Sequence, residues 1–192
     1  MADVARWRVP LAYPVAAAVL WFARPSPRSL AAGALIAALG LLLRGLAAGY
    51  LQKHEALTVA GPYAYTRNPL YLGSTALAAG CAVACRSWFS ILILIAYLAS
   101  VYPAVMRREE REMLAQFGSA FADYAARVPF FLPRLWPARF ARTSGGLKQI
   151  RESGARPGFS WKRYAKNREY EAAIGVASVV GILYLLMKWR GH

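Results

Sequence analysis

The chain has 192 residues, 58% of them apolar, with a mean hydropathy of +0.31 and 24 basic against 9 acidic residues, a net charge of +15. A soluble domain is about 45–50% apolar, and here the surplus is gathered in uncharged blocks, which excludes an ordinary water-soluble fold. In a soluble protein the positive charge would point to nucleic acid; beside apolar blocks it marks a segment that faces anionic lipid, and nucleic acid is not an expected partner.

Uncharged runs cover residues 9–23, 29–43, 68–85, 87–106 and 172–187. A helix that crosses a bilayer needs roughly 20 apolar residues, with about 17 tolerable. The runs predict five spans at about 9–24, 29–50, 69–85, 87–106 and 171–189, the first and last extended to the interface by Trp7, Arg8, Trp21, Lys188 and Trp189. No small-residue cleavage site follows the first run, so a removable leader is not expected. Fourteen of the 24 Lys and Arg lie between Arg107 and Arg168. That bias favours a cytoplasmic N-terminus and places residues 51–68 and the segment before the last span on the cytoplasmic side.

Along the second span Gly33, Ala37, Gly40, Arg44 and Ala48 share one face. Small residues at that spacing let a neighbouring helix approach closely. Arg44 then points into the bundle, either to meet a polar or anionic ligand group or to snorkel to the interface. Residues 61–73, Gly-Pro-Tyr-Ala-Tyr-Thr-Arg-Asn-Pro-Leu-Tyr-Leu-Gly, are a polar aromatic turn running into the third span. Asn68 suits a helix N-cap and Pro69 the first helical position. A helix start with Arg67 beside it is a seat for an anion. Cys81 and Cys85, one turn apart on the third span, read as packing residues, and no metal-ligand spacing occurs; the histidines are His54 and His192.

After Pro103 a cytoplasmic amphipathic helix is expected over 106–128. At 100° per residue, Met106, Met113, Leu114, Phe117, Phe121, Tyr124 and Val128 cover one face, with Glu110 in its middle and Arg107 and Glu109 at its edges. A carboxylate on an apolar stripe must be paired or hydrogen-bonded. The basic loop 134–170 follows, a surface linker or a mobile cover, with Trp161–Tyr164 suited to the headgroup layer. The expected fold is therefore all-α: a polytopic integral membrane helical bundle of one domain over 1–192, with about five transmembrane helices plus the cytoplasmic amphipathic helix.

The motif Gly61-Pro62-Tyr63…Arg67-Asn68-Pro69…Tyr71…Gly73 resembles the signature of the membrane methyltransferases that include isoprenylcysteine carboxyl methyltransferase and the phospholipid N-methyltransferases, roughly GPY-x-x-x-R-(H/N)-P-x-Y-x-G. The resemblance extends over about 44–133, from Arg44, Gly49 and Lys53 through that motif to Glu109-Glu110, Met113, Phe117-Gly118, Phe121, Tyr124, Val128-Pro129 and Pro133. Met113 and Phe121 stand where the family usually has leucine and tyrosine, and Asn68 where its best-known member has histidine, which removes a titrating imidazole. The resemblance implies a helical S-adenosylmethionine-dependent methyltransferase. The cofactor would enter from the cytosol and a lipophilic acceptor from the bilayer. It implies cofactor binding by Tyr63, Arg67, Asn68, Pro69, Tyr71, Gly73, Glu109 and Glu110, and catalysis by Glu110 with Arg44 and Arg107.

Methyl transfer from a sulfonium is an in-line displacement with an activated leaving group, so alignment and exclusion of water suffice without a metal. The start of the third span with Arg67 suits the cofactor carboxylate, and Glu109 or Glu110 suits ribose hydroxyls or the sulfonium and amino cations. Tyr63, Tyr65 and Tyr71 pack on the cofactor or form an interfacial belt. The acceptor stays open between an isoprenylcysteine carboxylate, a phospholipid amine and another lipophilic nucleophile. An amine would call for a base such as Glu110. The rival reading is a non-catalytic membrane scaffold that holds acidic lipid or a partner through its basic segment.

Overall fold

The computed structural model describes residues 4–52, 56–138 and 158–190, and in these every regular element is helical. Among the described residues six α-helices follow in chain order: α1 (Val4–Phe22), α2 (Pro27–Tyr50), α3 (Pro69–Cys85), α4 (Trp88–Arg127), α5 (Trp161–Lys166) and α6 (Tyr170–Arg190), with a 3-10 turn at Gly61–Ala64. Three of them, α2, α4 and α6, are long and apolar enough to cross a membrane, while Pro10–Phe22 within α1 and Pro69–Cys85 are shorter apolar helices. Lys53, His54, residues 139–157 of the expected basic loop, and His192 lie outside the described residues.

The chain folds as two compact units, one of residues 1–41, 74–107 and 171–192 and the other of 42–73 and 108–170. In the first unit α2 begins with a reciprocal cap: the Ser29 amide donates to the Ser26 hydroxyl at 3.2 Å and the Ser26 amide to the Ser29 hydroxyl at 2.9 Å, with Pro27 between. Gly33 and Gly80 then bring α2 and α3 into backbone contact. A Cβ on Gly33 would lie 2.4 Å from the Gly80 carbonyl oxygen, and one on Gly80 2.6 Å from that of Gly33. This is the close approach expected from the small-residue face. Leu35, Leu39, Leu42 and Leu46, on the opposite face of α2, are exposed, as lipid-facing residues are. Val19, Ala23, Leu30, Ala84, Cys85 and Leu183 form the core of this unit, and Cys81 packs against it.

In the second unit α2 ends and is capped from a distance. The last carbonyls of a helix have no partner within it. Here Gly49 accepts from the Ser160 amide at 3.0 Å and from Arg163 Nε at 2.8 Å, and Ala48 from Asn167 Nδ2 at 2.9 Å. Residues 158–167 of the expected cover are thus docked on α2. Leu57, Ala120, Phe121, Tyr124, Val128 and Ala138 make this unit's core.

Expectation and structure differ over 87–128. Instead of a span followed by a separate helix, α4 runs through Pro103 and is interrupted at Gly118, whose φ of 51° and ψ of −127° are non-helical. Of the expected apolar face, Leu114, before the break, is 49% exposed, while Phe121, Tyr124 and Val128 beyond it are buried.

Candidate active site at the start of α3

The 3-10 turn opens on Gly61 at φ 60°, a left-handed conformation that favours glycine, with its Cα side against the Tyr50 ring. Tyr63 is buried in the turn, and its carbonyl accepts from the Tyr124 hydroxyl at 2.9 Å. Burial first, then Tyr124, Glu109 and Glu169, push the Tyr63 phenol up, with Arg44 opposing. Tyr124 is likewise raised by burial, which outweighs the lowering by Arg67, while Glu110 adds to the rise. Both phenols stay neutral hydrogen-bond donors at physiological pH.

Residues 64–68 lie along 129–138 as a bonded strap. The Arg67 amide donates to the Pro129 carbonyl at 3.0 Å and the Arg134 amide to that of Tyr65 at 3.0 Å. The Thr66 hydroxyl donates to the Phe131 carbonyl at 2.8 Å, and Asn68 Nδ2 to the Phe130 carbonyl at 2.8 Å. Asn68 occupies the residue before α3, as expected, and Pro69 the first helical position. Its amide nitrogen, however, is spent on holding the strap.

That strap aims Arg67. Its Nη1 lies 2.8 Å from Glu110 Oε1, with both side chains mostly buried, and its guanidinium sits over the Phe130 ring at 5.6 Å from the centroid. The charge contact is close, but its angles do not make a hydrogen bond: Glu110 Oε1 and Arg67 Nε are buried polar atoms without a hydrogen-bond partner. Beside it the Tyr71 hydroxyl donates to Glu109 Oε1 at 2.7 Å. Pro69 and Gly73 are buried between. The structure therefore gathers Arg67, Asn68, Pro69, Tyr71, Glu109 and Glu110 in one unit, with a cation, two carboxylates and a neutral phenol in the neighbourhood.

Arg44 and Arg107 stand apart from these residues. Arg44 forms a bidentate pair with Glu169, Nε to Oε2 at 2.9 Å and Nη2 to Oε1 at 2.7 Å. Arg107 is exposed and joins none of these pairs. Sequence reasoning missed Glu169, Thr66, Phe130 and Tyr124 as supports. For Glu169 a signal existed: an arginine within an apolar helix needs a counter-ion, and the chain offers only 9 acidic residues. The bonds of Thr66 to the Phe131 carbonyl and of Asn68 to that of Phe130 go to backbone acceptors and leave no mark in the sequence. Among the described residues there is no group of three or more His, Cys, Asp or Glu able to hold a metal ion.

Residues 29–120 match the family model for phospholipid methyltransferase. The chain is 33% identical over 136 residues to the cobalt-zinc-cadmium resistance protein CzcN of Cupriavidus metallidurans, covering 67% of this chain and 62% of that protein. It is 37% identical over 84 residues to the nickel-cobalt-cadmium resistance protein NccN of Alcaligenes xylosoxydans xylosoxydans, 44% of this chain and 39% of the relative. It is 36% identical over 77 residues to methanethiol S-methyltransferase 2 of Bradyrhizobium diazoefficiens, 40% of this chain and 29% of the relative. The chain thus spans less than two thirds of each of these relatives, and no solved structure matches it.

Proposed function

We propose that this chain, whose residues 29–120 match the family model for phospholipid methyltransferase, transfers a methyl group from S-adenosylmethionine to a lipophilic acceptor. One observation carries the reading: Arg67 Nε and Glu110 Oε1 are buried at the motif without hydrogen-bond partners. A buried polar atom left without a hydrogen bond costs about 1–3 kcal/mol, more when charged, and such atoms in a native structure need a reason, of which a bound ligand is one. S-adenosylmethionine fits them, because it carries a carboxylate for Arg67 and an ammonium, a sulfonium and ribose hydroxyls for Glu110 and Glu109.

When bound, the cofactor supplies a methyl group on an activated leaving group. The chain's own residues do the positioning. The strap through Thr66 and Asn68 fixes Arg67, Glu110 holds its charge in place, and Tyr71 orients Glu109. An acceptor that is already anionic needs no proton removed. An amine or a thiol does, and Glu109, the more exposed of the two carboxylates, is the base assigned to it. The basic excess favours the cytoplasmic side of the membrane, next to anionic lipid, for this chemistry, and the shorter apolar helices α1 and α3 are read as further spans.

The test is calorimetric titration of the purified chain with S-adenosylhomocysteine, followed by transfer of a labelled methyl group to an isoprenylcysteine, a phosphatidylethanolamine and a lipophilic thiol. The thiol is included because one relative is named a methanethiol S-methyltransferase. Binding with transfer to one of the three is expected. A folded sample that binds nothing and methylates none of them overturns the reading.

A further inference from the structure

Leu132, Leu135 and Trp136 stand 74%, 90% and 78% exposed on the second unit. Leaving such side chains in water forgoes the gain of burying them, so an apolar tip of this kind marks a contact surface. The tip is held out by design of the backbone. On its two sides the Thr66 hydroxyl holds the Phe131 carbonyl at 2.8 Å, and the Arg134 and Ala138 amides hold the Tyr65 and Ala64 carbonyls at 3.0 and 2.8 Å. Pro133 and Pro137 lie within the same stretch. Arg134 Nη1 donates to the Arg127 carbonyl at 2.7 Å, which fixes a full positive charge at the base of the tip.

The geometry points to an interfacial wedge: Leu132, Leu135 and Trp136 insert into the headgroup layer of an anionic bilayer, with Arg134 and Arg127 at the phosphates. A rigid tryptophan with leucines beside fixed arginines suits that layer, apolar on one side and wet and anionic on the other. Charge selects lipid as the occupant. Between Asp123 and Glu152 the sequence has six basic residues and no acidic one, within a chain of net charge +15. Three helices long and apolar enough to span keep a bilayer always at hand. The wedge shares its strap with the carbonyls of Pro129 and Phe130 that hold Arg67 and Asn68, so seating it braces the start of α3. This docking is independent of which reaction the site performs.

The test uses the full chain reconstituted into phosphatidylcholine vesicles, with and without phosphatidylglycerol, containing lipids brominated near the top of the acyl chains. The difference in tryptophan emission between the wild type and W136F isolates Trp136. Its emission is expected to be blue-shifted, to lose most of its intensity to brominated lipid, to resist aqueous acrylamide, and to respond more strongly when phosphatidylglycerol is present. Quenching by acrylamide but not by brominated lipid would leave the tip in water. Protection from both would mean that a further part of this chain or a second copy covers it. Either result overturns the wedge. If W136F does not fold, Leu135→Cys carrying an environment-sensitive fluorophore gives the same readout, since Cys85 is buried and Cys81 largely so.

Discussion

The two units are held together by different chemistry. In the first, helices meet through Gly33 and Gly80 and a core of Val19, Ala23, Leu30, Cys85 and Leu183. One polar bond there closes a helix end, the Ser90 hydroxyl donating to the Val19 carbonyl at 2.9 Å. In the second, Arg44–Glu169, Arg67–Glu110 and Arg108–Glu112 all occur, and loops are stitched to helix ends by side chains. Lipid tails are as apolar as leucine, so helices surrounded by them gain from close packing more than from burial. Charge is costly near such surroundings and persists where it fixes geometry or meets a ligand. The first unit is accordingly built for packing, and the second for recognition.

The hardest blow to that division is Glu169→Ala. It removes the bidentate partner of Arg44, which is 22% exposed. Removing one member of a buried, hydrogen-bonded pair costs about 2–4 kcal/mol, so the thermal midpoint in micelles should fall clearly. Arg44→Ala/Glu169→Ala should recover part of the loss, because it leaves no lone charge. Strictly additive effects would show that the two side chains do not depend on each other.

Glu110→Gln separates recognition from stability. It keeps the shape of the side chain and removes its charge beside Arg67. S-adenosylhomocysteine affinity should fall roughly tenfold to a hundredfold, about 1.5–3 kcal/mol, with a smaller change in thermal midpoint than Glu169→Ala gives. Unchanged affinity would make Arg67–Glu110 a purely structural pair.

Gly33→Ala is the matching change in the first unit. Its methyl would sit 2.4 Å from the Gly80 carbonyl oxygen and 2.6 Å from Ala84 Cβ, so the backbones must separate. Overpacking of this kind costs about 1–3 kcal/mol. The midpoint should drop while ligand affinity per folded molecule stays put. A parallel loss of affinity would mean that the packing unit also tunes the site.

What could be read from the sequence was local. Asn68-Pro69 starting a helix, Gly33 and Ala37 on a close-approach face, and Glu110 needing a partner all follow from spacing within one element. Arg44–Glu169 joins residues 125 apart, and only the path of the chain between them brings them together. Gly118 was visible as a glycine, but a left-handed break and a tolerated helical glycine look alike before the backbone is known. The membrane character was legible in the uncharged runs. The docking of 158–167 on the end of α2 was not, because the acceptors there are backbone carbonyls, which every residue has.

The smallest expected effect tests how far the recognition network reaches. Tyr71 is tied to Glu109 by one hydrogen bond of 2.7 Å at an exposed position. Water replaces an exposed partner at little cost, so Tyr71→Phe should lower S-adenosylhomocysteine affinity by no more than about 1 kcal/mol, roughly fivefold, with an unmoved thermal midpoint. The sharper measurement is the comparison with Glu109→Gln. If Tyr71 acts by orienting Glu109, adding Tyr71→Phe to Glu109→Gln costs less than it does in the wild type, since the carboxylate to be oriented is already gone. If the two losses simply add, Tyr71 touches the ligand in its own right. Glu109 then holds its position without help, and the two carboxylates of the site are set apart: one fixed by Arg67, the other by its place on α4.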